Sequence, residues 1–225
     1  MRKKYLLALG VLMAFFILQS CSSHPEEGLL ERYFNAVTLK DNQTMSSMAL
    51  EPIELDLESW KLVNVTPERI ESVSLPDLNK KELDLKKTEE DHRNPVLEAQ
   101  DFLYAAKDEL DLARTGAAKN AARRKVEELQ AKYDEEYAKH NEIRAEYTAA
   151  REAAAQEEQM TAFSLGVREL PGIRDLTGEV HFKEVDLSVK LKDGTEKGYR
   201  AYLRMYELEE NHRGRWIITR FEPTG

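Results

Sequence analysis

"LDLARTGAAKNAARRKVEELQ", residues 110–130, decides how this chain folds. On both sides lie stretches dominated by Glu, Lys, Arg, Ala and Gln. Between Pro95 and Phe163 there is no proline and one glycine, Gly116, a composition typical of long helices. Upstream, Val96, Ala99, Leu103, Ala106, Leu110 and Ala113 recur at alternating steps of three and four. Downstream, Val126, Leu129, Tyr133, His140, Ile143, Tyr147, Ala150 and Ala154 nearly do the same. Both are heptad-like seams, and the phase slips between Ala113 and Val126, where Gly116 lies. Unbroken, a helix from Pro95 to Phe163 would run about 100 Å, against about 30 Å for a small domain. A hairpin returns the chain, with Arg114-Thr115-Gly116 as the turn and Gly116 in the left-handed conformation that ends helices.

Two features keep one long, kinked helix open as a rival. Asn94-Pro95 is a helix start signal, because Asn caps and Pro is tolerated at the first helical position. A first arm starting there is much shorter than the second, unless residues 78–93 extend it through Leu78 and Leu85 with a kink at Pro95. In addition, Lys119, Arg123, Arg124 and Lys125 would crowd the N-terminal end of the second arm, where the helix dipole disfavours cations. A lone glycine inside a continuous helix costs only about 1 kcal/mol.

Before this region, Leu29, Leu30, Tyr33, Phe34 and Val37 form one helical stripe. Asp41 or Asn42 then caps a second, short helix carrying Met45, Met48 and Leu50, ended by Pro52. Residues 53–76 read as two short strands: Trp60, Leu62, Val63 and Val65, then Ile70, Val73 and Leu75, broken at Pro67 and stopped at Pro76. After residue 163 the period becomes two. Val180 and Phe182 alternate, then Val185, Leu187, Val189 and Leu191. The parity flips near Lys183–Glu184, which predicts a β-bulge there. Asp193-Gly194 is a hairpin signal. Tyr199, Ala201, Leu203 and Met205 come next, Asn211–Gly214 turns the chain, and Trp216, Ile217, Ile218 and Phe221 form a last strand.

The amino terminus locates the protein. Arg2, Lys3 and Lys4 precede an uncharged run from Tyr5 to Leu18, too short for comfortable membrane crossing. Gln19, Ser20 and Cys21, the only cysteine, close it. The LQSC tetrapeptide resembles the lipobox of bacterial lipoproteins. That resemblance implies a signal peptide over 1–20, lipid (such as palmitate) on Cys21 and a short tether over 21–28. It also implies a membrane partner through the anchor, and Ser22-Ser23 after the cysteine imply the outer membrane, facing the periplasm. Several acyl chains hold where one alone is marginal. With Cys21 lipidated, no disulfide, thiolate metal site or cysteine nucleophile remains in the chain. All 42 acidic residues but only 30 of the 33 basic ones come after residue 20, a formal charge of −12. A chain so acidic has no global attraction for nucleic acid.

The order of elements carries a second resemblance. "LLERYFNAVTLKDNQTMSSMAL" (29–50) is similar to the opening helices of the NTF2-like superfamily, and "GRWIITRFE" (214–222) to its last strand. The expected fold is therefore α+β: N-terminal helices packed on a curved antiparallel sheet, an NTF2-like cone, with a long helical hairpin or coiled-coil insertion. The parts are 29–76 and 164–225 for the body and 77–163 for the insertion. The superfamily spans enzymes, carriers and interaction modules, so fold does not choose among them.

Chemistry-bearing patterns are sparse. His24, His92, His140, His181 and His212 show no metal-ligand spacing, and no cofactor is expected. His92 sits among polar neighbours. His181, between Val180 and Phe182, is expected to face solvent. His140 falls on the seam, where a polar residue commonly sets register. Glu184 and Asp186 would be catalytic only if their strand face were interior. There is no nucleophile elbow, phosphate loop or HExxH. A small apolar ligand in the cone would be lined by Trp60, Phe182, Tyr202 and Trp216. Tyr133, Tyr137 and Tyr147, or the basic run Lys119, Arg123, Arg124 and Lys125, would serve a partner. The leading expectation is a non-enzymatic, lipid-anchored envelope protein that contacts another envelope protein through its helical arm; a ligand-binding module, or an enzyme in the same pocket, is the alternative.

Overall fold

The computed structural model describes residues 25–209 and 211–224; Cys21, His24 and the expected signal peptide lie outside them. The protein is α+β, with a curled antiparallel half-barrel sheet and a long helical region. The elements in order are α1 (Pro25–Leu39), α2 (Asn42–Ser46), β1 (Leu57–Val65), β2 (Arg69–Ser72), α3 (Leu75–Leu112) and α4 (Gly116–Leu165). A 3-10 turn (Ile173–Asp175), β3 (Gly178–Leu191), β4 (Glu196–Leu208), β5 (His212–Arg213) and β6 (Ile217–Thr224) complete the chain. Strands β1 and β2 pair with β3, β3 with β4, and β4 with both β5 and β6. The chain divides into two compact units. The first holds the residues up to Ile70, Val180–Tyr206 and those from Gly214 on; the second holds Glu71–Glu179 and Glu207–Arg213.

In the first unit, α1 and α2 cover one face of the sheet. Leu30, Tyr33, Phe34 and Val37 of the expected stripe meet Val185, Leu187 and Val189 of β3 and Ala201 and Leu203 of β4 in one buried cluster. Helix α1 begins earlier than expected. Pro25–Gly28, expected as tether, form its first turn, because Pro25 suits a helix start and Glu26 and Glu27 complement the dipole. The helix ends on Lys40 in the left-handed region (φ 55°). Asp41 N–H donates to Ala36 O (2.9 Å) and Lys40 N–H to Val37 O (3.1 Å), the paired bonds of a Schellman turn. Asp41 then caps α2, its Oδ1 accepting from Thr44 N–H. The Thr44 hydroxyl, the larger effect, and that N–H hold the Asp41 carboxyl below its ordinary range.

Two expectations about β3 need correction. The side chains of His181, Lys183, Val185, Leu187 and Val189 share the helix-facing side, so the alternation has one phase and no bulge is needed near Lys183. The sequence looks as if it flips because the inward positions 181 and 183 are polar. Register irregularities lie instead in β1, at Leu57–Ser59 and Leu62–Asn64, and in the β4–β6 pairing beside Tyr202–Leu203. The β3–β4 connection is a short loop around 192–194, with Gly194 alone at positive φ (86°).

The second unit carries the helical hairpin. Pro76 lies in the first turn of α3 and does not merely stop a strand. Pro95 lies inside α3 and does not start it. The chain turns at 113–115. Gly116 is the first residue of α4 and lacks a positive φ; Thr115 provides the cap, its side chain accepting from Ala118 N–H (3.2 Å). The left-handed terminator is Gly166 (φ 71°), at the far end of α4.

Candidate functional site

The hairpin is the element most distinct from a compact core, and its seam is more regular than the apolar residues alone suggest. In α3 the positions Leu75, Leu78, Glu82, Leu85, Glu89, His92, Val96, Ala99, Leu103, Ala106 and Leu110 alternate by three and four without a slip, and each is buried or half-buried. In α4 the same holds from Ala122 through Val126, Leu129, Tyr133, Glu136, His140, Ile143, Tyr147, Ala150, Ala154, Glu157 and Thr161 to Ser164. The heptads pass straight through residues 75–92, where Glu82, Glu89 and His92 hide the pattern.

The seam changes chemistry along its length. Near the start of α3 and the end of α4, small residues (Ala150, Ala154, Thr161, Ser164) let the helices approach. There Arg174 clamps both helices, its Nε donating to Glu158 Oε2 and its Nη1 to Glu82 Oε2, each at 2.7 Å. Hydrogen bonding to Glu158 first, then Glu82, raises the guanidinium pKa further. Toward the turn, Ala99, Leu103 and Ala106 are buried, and Lys125 Nζ reaches both carboxylate oxygens of Glu109 (2.7 and 2.9 Å).

Between these blocks lies a polar layer. His92 Nε2 is 3.2 Å from Glu136 Oε2, and His140 Nε2 is 3.6 Å from Glu89 Oε1. The two imidazoles face each other, centroids 6.1 Å apart and planes 14° from parallel. Nδ1 and Nε2 of His92 and Nδ1 of His140 are buried without a hydrogen-bond partner. His92 thus belongs to the seam despite its polar sequence neighbours, and the heptad count from Leu75 is the signal that puts it there.

Of the expected partner contacts, Lys119, Arg123, Arg124 and Lys125 are exposed on the first turns of α4, and Lys125 is paired with Glu109. Tyr133 stacks on Tyr137 (5.7 Å), which is half exposed, while Tyr147 stays on the seam. Leu97, Phe102 and Tyr104 of α3 are also about half exposed, outside the seam.

The four residues expected to line a ligand pocket are not brought together. Trp60 stacks on Phe34 (4.9 Å), and Trp216 packs against the same core on the helix-facing side. Phe182 and Tyr202 belong to the opposite face. Phe182 is sandwiched by the guanidiniums of Arg69 and Arg204 (4.8 and 4.9 Å). Tyr202 donates to Glu222 Oε2 (2.6 Å), which raises its phenol pKa, and Arg220 covers its ring (4.3 Å). Glu184 and Asp186 share that face and pair with Arg200 at 3.4 and 2.7 Å. The bond from Arg200 keeps the Asp186 carboxyl below its ordinary range, suited to an ion pair and not to a proton-accepting base. A cleft of about 280 Å³ beside Val37, Met45 and Leu55 includes none of the four.

His181 contradicts the solvent-facing expectation. It is 8% exposed, and its Nδ1 lies 2.6 Å from Glu68 Oε1. Next on the same face, Lys183 Nζ is 2.9 Å from Oε2 of the fully buried Glu26 and 3.6 Å from Glu68 Oε2. Trp216 lies under both, 5.4 Å from the ammonium and 6.4 Å from the imidazole. The group is a polar network around the Lys183–Glu26 ion pair, buried except at Glu68. No nucleophilic side chain bonds to His181 Nε2, which is buried and unpartnered.

Comparison with protein-family models, with characterised proteins and with solved structures finds no match. Among the described residues, no helix is long and apolar enough to cross a membrane.

Proposed function

We propose that this protein is a non-enzymatic, lipid-anchored component of the bacterial cell envelope. In this reading Cys21 carries the lipid at the periplasmic face of the outer membrane, and the α3–α4 arm docks on another envelope protein. The body then serves as an NTF2-like mount. One observation carries the reading. The arm's two helices spend their regular seam on each other, yet leave Leu97, Phe102, Tyr104 and Tyr137 about half exposed, with Lys119, Arg123 and Arg124 exposed nearer the turn. Apolar side chains beyond the need of the seam, on an arm that also exposes charges opposite to the protein's net charge, suit a protein partner.

The test uses cells expressing the tagged full chain. Removing residues 96–109 and 122–135 takes two heptads from each helix and keeps both seams in phase. Crosslinking followed by affinity capture should yield an envelope protein with the full chain and lose it with the shortened arm. An identical capture profile would overturn the docking role. Separately, Cys21→Ser should release the protein from the membrane fraction and abolish palmitate incorporation.

A further inference from the structure

The geometry points to one side of the hairpin as the seat for an acidic amphipathic helix of the partner protein, laid between α3 and α4 as the third helix of a bundle. The inference rests on the docking role proposed above and names where, and by what chemistry, the arm docks. The seam fixes the two sides. With Val96 and Leu103 of α3 and Val126 and Tyr133 of α4 as positions a, positions a and d alternate along both helices. In an antiparallel pair the g positions of the two helices meet on one side and the e positions on the other. The bonds from Lys125 Nζ to Glu109 join two g positions and mark the g side.

The other side has one sign of charge at its e positions. From Lys86 to Arg151 every charged e position is a cation, Arg93, Lys107, Arg123 and Arg144 among them, in a protein of net charge −9. Elsewhere cations find carboxylates, as Lys125, Arg174 and Arg200 do. Here, among the described residues, Arg93, Arg123 and Arg144 make no ion pair or hydrogen bond, and Lys107 only covers the Tyr104 ring (5.9 Å). The apolar excess lies on the same side. Leu83, Leu97 and Tyr104 hold b positions, next to e around the helix, and Tyr137 is itself at e; each is about half exposed. Gln100 Nε2 donates to the Tyr104 hydroxyl (3.3 Å) and orients the ring. The rim also carries carboxylates: Glu90 and Asp134 are engaged by Lys86 and Gln130, and Asp111 and Glu127 lie toward the turn. An apolar stripe bordered by unpaired cations, in the groove between two helices, complements a helix whose apolar stripe is bordered by Asp and Glu. From Leu83 to Lys107 the face runs about 36 Å, room for a helix of about 24 residues.

The experiment puts a photo-crosslinking side chain at position 104, or at position 102 on the g side, of the tagged full chain in cells, and sequences the adducts by mass spectrometry. From position 104 the adducts should map to one protein segment with helical apolar spacing flanked by Asp and Glu; position 102 should give none. R93E/R144E should lower the adduct yield by about tenfold or more, while R93K/R144K keeps it. Glutamate is as good a helix former as arginine, and an unchanged helical circular dichroism spectrum would show that the variant folds. Adducts only with a second copy of this chain or with lipid overturn the assignment. So do a crosslinked segment without acidic residues, equal adducts from 102 and 104, or a yield indifferent to R93E/R144E. No adduct from position 104, while the shortened arm still loses its captured protein, refutes this face and leaves the docking role standing. No adduct together with an unchanged capture profile removes both.

Discussion

Replacing Glu26 by Ala tests the buried network at its least exposed member. Glu26 is fully buried, and the Lys183 side chain it faces is 11% exposed. At an effective dielectric of about 20, the attraction across 2.9 Å is about 6 kcal/mol. Glu68, at 3.6 Å, offers Lys183 about 5 kcal/mol on the same basis, but its side chain is 37% exposed and screened by solvent. Breaking a buried pair commonly costs about 3–5 kcal/mol, because an uncompensated charge stays behind. Here Glu68 retains part of that, so Glu26→Ala should cost about 2–4 kcal/mol and Glu68→Ala under about 1 kcal/mol. Urea denaturation at pH 7 measures both. The variant E26L/K183M removes both charges of the pair and should recover most of the loss. If Glu26→Ala stays within about 0.5 kcal/mol of the parent, or E26L/K183M is the less stable of the two, the network does not hold α1 to the sheet as argued.

Three further outcomes concern single positions. Burial pushes the Tyr33 phenol up to about 12, opposed by the bond it accepts from Ile53 N–H (2.8 Å). A folded pKa above the unfolded value of about 10 contributes stability that is complete below pH 10 and is lost as pH rises toward 12. Tyr33→Phe should remove that alkaline loss, seen by denaturation at about pH 9–12, and cost about 1–2 kcal/mol at pH 7 for the unpaired N–H. Lys40→Gly should stabilise by about 1 kcal/mol in thermal unfolding, since Lys40 holds a left-handed conformation and its ion pair with Asp56 is well exposed. Pro95→Ala should raise hairpin stability, by up to about 3 kcal/mol, read as slower amide exchange near Asp91; no change would show that the helix has adapted fully to the proline.

Much of the fold was legible because its signals are local and repeat. The α1 stripe, the Asp41 cap and the strand alternation each depend on neighbours a few residues apart, and each appears in the structure. The hairpin was legible from a phase slip and a length argument, although Gly116 is not the terminator its residue type suggests. Thr115 has a side-chain acceptor and begins α4, while Gly116 merely occupies the first helical position. The hidden features involve polar residues at inward positions. His181 and Lys183 interrupt one apolar count, and Glu89, His92 and Glu136 interrupt another. In both places the backbone period continues, and the side chains face carboxylates more than a hundred residues away (for Lys183 and His181) or on the other helix. Apolar periodicity cannot register such positions, because their partners are set by tertiary contact.

Polar residues on the seam also govern how the arm behaves. The layer divides the seam into an apolar block next to the turn, around Ala99, Leu103 and Ala106, and a tight small-residue block at the far end, locked by Arg174. Each block can bury surface without the other, and the layer between them leaves ring nitrogens unpaired, each costing about 1–3 kcal/mol. Pro95 lies three residues past His92 and removes a helix hydrogen bond nearby. The layer is therefore the weakest link in the seam, and local opening should begin there before the ends. Amide exchange measures that order of opening: residues around His92 and His140 should exchange faster than those around Leu103 and Ala154, and slower or equal exchange at the layer would refute the argument.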